Sequence, residues 1–285
     1  MRRILFLLLL TAALGYLTGE GIAQPAKAEN QPGKGGSILH AVKARGKLIA
    51  GVTENEPPLG FLDKDGAFKG FYIDIAEALA KIIFDGKVKV EFVGVPVEKW
   101  LDSLKTGKID ILLAPLFMTE GREKQIDFSV PCFVSGALIL VEKNSKIRND
   151  QDLAGKSVAT IRGSIWETII RELAPQSKPV PFPHNRDALQ ALEEHKVDAF
   201  LQLDVFVFYM EEKDRNLRIV NLQPIRPSPA GLGLRKGDKE WLDEVDIALL
   251  KMMRSGEYSR LLEKWFGKVR GEFLDMALRK EIKLK

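Results

Sequence analysis

"LKTGKIDILLA", Leu104 to Ala114, and "LEEHKVDAFLQ", Leu192 to Gln202, repeat one phrase. In each, a leucine closing a helical stretch is followed by a short turn, lysine, a β-branched residue, aspartate and an apolar strand, with identical spacing from leucine to aspartate. Upstream of each, a glycine opens a helical pattern: "GFYIDIAEALAKII" from Gly70 and "GSIWETIIREL" from Gly163. In the first pattern Ile75, Leu79, Ile82 and Ile83 fall at i, i+4, i+7 and i+8, a face that must pack on a sheet. One αβ plan used twice predicts an α/β chain with two lobes, each a central sheet flanked by helices.

Between the two units runs "FVSGALILVEKNS", Phe133 to Ser145, and after the second comes "SPAGLGLRKGD", Ser228 to Asp238. Both are extended and predict two crossings between lobes, with hinges over Ser135–Val141 and Ser228–Leu234. The helical patterns that follow carry Trp241, Val245, Leu249 and Met252 on one face and return the chain to the first lobe. Two covalent connections leave a cleft between the lobes, the geometry in which small ligands bind and hinges close.

The N-terminus, "MRRILFLLLLTAALGYL", has two arginines, an apolar segment short for a membrane span, then small residues, and reads as a secretory signal in residues 1–28. Cleavage after Ala23 or after Ala28 fits equally. Residues 29–37 read as a disordered linker. The formal charge of +4 falls to +2 without residues 1–28, since Arg2, Arg3 and Lys27 leave with Glu20. That balance gives no case for nucleic acid. Cys132 is the only cysteine, so no internal disulfide forms, and the three histidines lack metal spacing. No metal and no cofactor is expected. The tail at 268–285 is basic and patterned for a packed terminal helix.

Five stretches in order, "PPLGFLDKDGAFKGFYIDIAEALA", "LKTGKIDILLAPLFMTEGREKQIDFS", "RGSIWETIIRELAP", "DALQALEEHKVDAF" and "GLGLRKGDKEWLDEVDIALLKMMRSGEYSRLLEKWFG", resemble the bacterial extracellular solute-binding proteins of family 3, the polar amino-acid receptors of ABC importers. The resemblance runs from about Gly46 to Gly267. It implies a type II periplasmic binding protein clamp, lobe 1 from 38–137 with 232–267 and lobe 2 from 138–231. It further implies a periplasmic monomer that closes on a small carboxylate-bearing solute and delivers it to a membrane permease.

Family members carry T-x-x-R after the first-lobe strand, and Thr119 and Arg122 keep that spacing, with Pro115 and Phe117 just before them. Arg122 is always charged, and its planar fork matches two carboxylate oxygens. The second lobe would supply the rest of the anion site through "RGSIWE", with Arg162 as an added positive charge, Gly163 for close approach, Ser164 as N-cap, and Ile165 opening a helix whose free N–H groups favour an anion. Trp100 stands at the rim of the cleft or in the core. Phe117 occupies the position of a ligand-bonding Ser or Thr, Glu56 that of a covering aromatic, and Leu203 that of the aspartate that receives an ammonium. Asp204 is one residue late and either caps the next helix or, with a one-residue slip, faces the ligand. Phe117 and Leu203 predict a solute that does not depend on an α-ammonium, while Glu56 could pair with a cation. Two other readings are a cyclohexadienyl dehydratase-like enzyme, which needs a general acid in the cleft, and a sensory module for a membrane receptor.

Overall fold

The computed structural model describes residues 36–282; the signal and most of the linker lie outside them. Ser37 caps the first helix by accepting the Leu39 amide at 3.2 Å, so regular structure starts at Ile38, as the apolar pattern predicts. In chain order come α1 (Ile38–Arg45), β1 (Lys47–Val52), β2 (Asn55–Glu56), β3 (Gly60–Leu62), β4 (Phe68–Lys69), α2 (Phe71–Phe84), β5 (Lys89–Gly94), α3 (Trp100–Lys105), β6 (Ile111–Leu113), α4 (Glu120–Glu123) and β7 (Ile126–Phe128). Then follow β8 (Phe133–Glu142), β9 (Ser157–Ile161), α5 (Trp166–Leu173), β10 (Lys178–Phe182), α6 (Asn185–Glu193), β11 (Ala199–Leu203), α7 (Asp204–Lys213), β12 (Leu217–Ile219) and β13 (Ile225–Ala230). The chain ends with β14 (Gly233–Arg235), α8 (Lys239–Arg254), α9 (Glu257–Phe266) and α10 (Lys268–Glu281).

Two large sheets result, one per lobe, and β2, β3 and β4 form a small antiparallel sheet of their own. The first has the order β5-β1-β6-β14-β7, with β1 parallel to β5 and β6, and β14 antiparallel to both its neighbours. The second has the order β10-β9-β11-β8-β12, with β9 parallel to β10 and β11, and with β13 also paired to β8. The repeated aspartates do the same work in both. Asp110 accepts the Ile49 amide of β1 at 2.7 Å, and Asp198 accepts the Ser157 amide of β9 at 2.8 Å. Each ties the start of one parallel strand to its neighbour, which explains why the phrase recurs.

The strand pairings put the first crossing at 129–132, earlier than Ser135–Val141. β8 belongs to the second sheet from its first residue, where Phe133 pairs with Ala230. The two crossings are laced together: the Ser129 amide donates to the Leu232 carbonyl at 3.0 Å, the Leu232 amide donates to the Ser129 hydroxyl at 2.9 Å, and the Cys132 amide donates to the Ala230 carbonyl at 2.9 Å. Helices α8 and α9 return to the first lobe. Trp241 stacks on Phe84 and donates its Nε1–H to the Asp110 carbonyl at 3.2 Å, while Trp265 donates to Asp74 at 2.6 Å. Behind the crossings Phe71, Tyr72, Phe133, Tyr258 and Phe266 form one buried aromatic cluster. The Tyr258 hydroxyl donates to the Cys132 carbonyl and pins α9 to the crossing. Cys132 is buried, and burial pushes its thiol up to about 12, so it is inert. The basic tail forms α10, packed through Leu274 and Leu278.

Candidate functional site

A cavity of about 70 Å³ lies between the lobes at the C-terminal ends of their parallel strands. In open α/β sheets this is where ligands bind, because loops leaving the strand ends carry free backbone groups and variable side chains. Lobe 1 supplies Thr53 to Glu56 after β1, Val95 to Val97 after β5, Trp100 at the head of α3, Pro115 and Phe117 after β6, and Arg122 from α4. Lobe 2 supplies Ile161 and Ser164 to Trp166 after β9, Pro183 to Asn185 after β10, and Gln202 and Leu203 at the end of β11. At roughly 10–15 Å³ of such space per water, the cavity has room for about five.

Arg122 is half-buried; among the described residues its guanidinium donates only to the Phe117 carbonyl, at 3.0 Å, and no carboxylate pairs with it. Burial lowers its guanidinium to about 10, which leaves it charged at neutral pH. Thr119 does not line the cavity. Its carbonyl accepts the Arg122 and Glu123 amides at 2.9 Å, so it starts the turn that carries the arginine. Phe117 meets Trp166 edge-on across the cleft, ring centroids 5.3 Å apart, which closes one side with aromatic surface. Trp100 is wall and core at once, with its indole N–H fixed on the Val95 carbonyl at 3.0 Å.

Glu56 is 7% exposed. Burial pushes its carboxyl up to about 7, opposed in part by a hydrogen bond from Asn185. Asn185 bridges the lobes: its Nδ2 donates to the Asn55 carbonyl at 3.1 Å and its Oδ1 accepts from Gln202 at 2.5 Å. Neither Asn185 nor Gln202 stands out by motif. The available signal is a glutamine inside the apolar strand "AFLQL", a buried polar group that needs a partner.

The "RGSIWE" turn differs from expectation. Gly163 has φ 76°, and a side chain there would press on Glu98 of lobe 1 at 3.2 Å, so glycine permits both the turn and the approach of the lobes. Its N–H, however, is taken by Glu167 at 2.5 Å, and the Ser164 N–H by the Ile161 carbonyl at 3.0 Å. Neither amide is free for an anion. Nor does Ser164 cap: the N-cap of α5 is Ile165, and the Ser164 hydroxyl is buried at the cavity wall with no partner. The Ile165 and Trp166 amides carry no hydrogen bond among the described residues, so the free donors lie two residues further on, at residues that line the cavity. Arg162 is exposed and does not line the cavity.

Asp204 is corrected as a ligand contact. It is 6% exposed, yet its carboxylate accepts the Ser135 hydroxyl, the Gly136 amide at 3.3 Å and the Val205 amide at 2.6 Å. It faces β8, and Leu203 lines the cavity, because successive side chains at a strand end turn to opposite sides.

The model for bacterial extracellular solute-binding proteins, family 3, matches residues 48–268. The glutamine-binding protein GlnH of Bacillus subtilis is 30% identical over 92% of this chain and 93% of its own, and the L-cystine-binding protein TcyJ of Escherichia coli is 29% identical over 81% and 86%. Among solved structures, an ancestral amino acid-binding protein described as a precursor of cyclohexadienyl dehydratase superposes with a TM-score of 0.75 at 35% identity, covering 81% of this chain and all of that one. An ancestral arginine-binding protein bound to arginine gives 0.72 at 36% identity, covering 78% and 99%. With the two-lobed fold, the cleft and a match over most of its length, the chain belongs to family 3 of the bacterial extracellular solute-binding proteins.

Proposed function

We propose that the protein is a periplasmic amino-acid receptor of an ABC importer, which binds a small carboxylate-bearing solute, closes its lobes on it and presents it to the membrane permease. The observation that carries this reading is the Arg122 guanidinium, turned to the cavity with only a backbone carbonyl as partner, opposite the unpartnered Ser164 hydroxyl. A half-buried cation without a counter-charge is costly, and a carboxylate fits its fork. The two lobes, with lobe 2 starting at β8 rather than at residue 138, would rotate about the laced crossings near Ser129 and Leu232. The working unit is a monomer, exported by a signal removed after Ala23 or Ala28; an intact mass that still includes residues 1–23 would exclude export in that form.

Calorimetry on Arg122→Ala and Arg122→Lys tests the site. A charge-assisted bond contributes about 1.5–3 kcal/mol, so alanine should weaken a carboxylate solute at least about tenfold. Lysine should restore part, having the charge without the fork. Full affinity in the alanine variant sinks the reading. A dehydratase is the second reading, favoured only by Glu56, a carboxyl in the cleft with the raised pKa of a general acid; product formation from prephenate would establish it.

A further inference from the structure

Resting on that receptor reading, we infer that lobe 1 reads both charges of the solute: Arg122 takes its anionic group and Glu56, on the β2 hairpin, takes a cationic group, while lobe 2 closes without bringing a carboxylate, lysine or arginine to the cavity. The solute is therefore a zwitterion whose cationic group is required for binding, which departs from the expectation drawn from Phe117 and Leu203.

Glu56 is buried at the cavity wall and, among the described residues, no lysine, arginine or histidine pairs with it. Its one polar partner is the neutral amide of Asn185. Arg122 lines the same cavity but bonds the Phe117 carbonyl and, among the described residues, forms no ion pair with Glu56, so the two present separate poles. A carboxylate buried without a cation is unfavourable unless the solute brings one. The other ionisable groups near Glu56 do not serve. Glu54 is half-buried with its carboxyl folded against Gly94. Tyr72 on α2 lies behind Glu56, with its hydroxyl buried and unpartnered. His184, at the start of α6, is the sole titratable side chain that lobe 2 places on the cavity among the described residues. The acid that lobe 2 could have offered, Asp204, is turned away and satisfied by Ser135, Gly136 and Val205. Charge selection thus falls to the lobe that holds both anchors before closure.

The test is calorimetry at pH 7 on the full mature chain and on Glu56→Gln, an isosteric change, with L-glutamine, L-arginine and L-cystine, each matched to a desamino partner, the carboxylic acid lacking every cationic group of the parent amino acid. The expected result is that the parent binds at least one amino acid and prefers it to its desamino partner by more than tenfold. Glu56→Gln should abolish that preference by losing affinity for the amino acid alone. Repeating the titration in buffers of different ionisation enthalpy should show net proton release by the parent near pH 7 and less by the variant, a readout that a merely structural role would not move. A parent that binds an amino acid and its desamino partner equally, or a variant that keeps the preference, overturns this inference and leaves the receptor reading standing. A parent that binds none of the six overturns both.

Discussion

Asp110 and Asp198 hold the same place in the two lobes and tie the same pair of strand positions, yet they sit in different surroundings. The Asp110 side chain is 2% exposed and bonded to Arg45 as well as to the Ile49 amide. Burial raises its pKa against the opposing pull of that amide and of Arg45 and Arg235. The Asp198 side chain is 39% exposed, and although its partial burial acts to raise the pKa, bonds from Ser157 and Lys156 prevail and hold it below the usual carboxylate range. The same sequence phrase therefore closes a buried charge network in lobe 1 and a solvated one in lobe 2. The cleft follows the same division, with Glu54, Glu56 and Arg122 on the first side and neutral polar groups with His184 on the second. Lobe 1 turns charge toward the cleft; lobe 2 turns its buried acid, Asp204, away from it.

The sharpest way to break this comparison is to delete both aspartates in turn. Asp110→Ala strands Arg45 and a buried amide and should cost about 3–5 kcal/mol, the range for removing one partner of a buried pair. Asp198→Ala, at a solvated site, should cost about 1 kcal/mol or less beyond its amide bond. Urea unfolding of the two variants measures both. Equal losses would mean that the strand tie dominates and burial is irrelevant.

Next in size is a pH effect specific to lobe 1. Glu56 has its folded pKa raised from 4.5 to about 7, so its neutral form is favoured in the ligand-free fold. Its contribution is fully present below pH 4.5 and lost as pH rises through 7. At about 1.36 kcal/mol per pH unit, the ligand-free protein should lose about 3 kcal/mol of stability from this group across that window. Glu56→Gln should flatten that part of the curve. If parent and variant run parallel from pH 4 to 8, Glu56 is not buried as a free acid.

The parts of this architecture that the sequence made legible are those fixed by local chemistry. The Leu-to-Asp spacing predicted two αβ units because an aspartate at a strand start has a definite job, and Arg122 stood out because it follows an apolar strand with a turn to fix it. The illegible parts depend on contacts made at a distance. Whether Leu203 or Asp204 faces the cleft turns on one residue of strand register, and the Ser135 and Gly136 groups that claim Asp204 lie far away in the chain. The Gly163 amide looked free because nothing in "RGSIWE" shows that Glu167 folds back onto it. Asn185 and Gln202 make their bonds across the lobes or within a strand end, so a motif cannot announce them.

The smallest expected effect concerns a helix that touches both halves. Helix α10 lies almost wholly beyond the family match, which ends at residue 268. On the lobe 1 side, Asp275 accepts from Ser259 of α9 at 3.1 Å, and Arg279 donates to the Met253 carbonyl of α8 at 3.3 Å. On the lobe 2 side, the Arg270 guanidinium lies 4.1 Å from the centroid of the Phe208 ring of α7. Such a cation–π contact at a half-exposed position contributes about 0.5–1 kcal/mol. Arg270→Ala should therefore lower stability by no more than that, because Leu274 and Leu278 keep the helix seated. Yet the contact spans the crossings, and any motion that separates α7 from α9 must break it, so its loss should favour the more open arrangement by the same small amount. Small-angle scattering of the ligand-free variant should show an equal or slightly larger radius of gyration. Lysine at this position should keep part of the effect, since it retains the cation but not the planar stack. A smaller radius in the alanine variant would mean that α10 props the lobes apart, and lobe 2 would then owe its resting position to the tail.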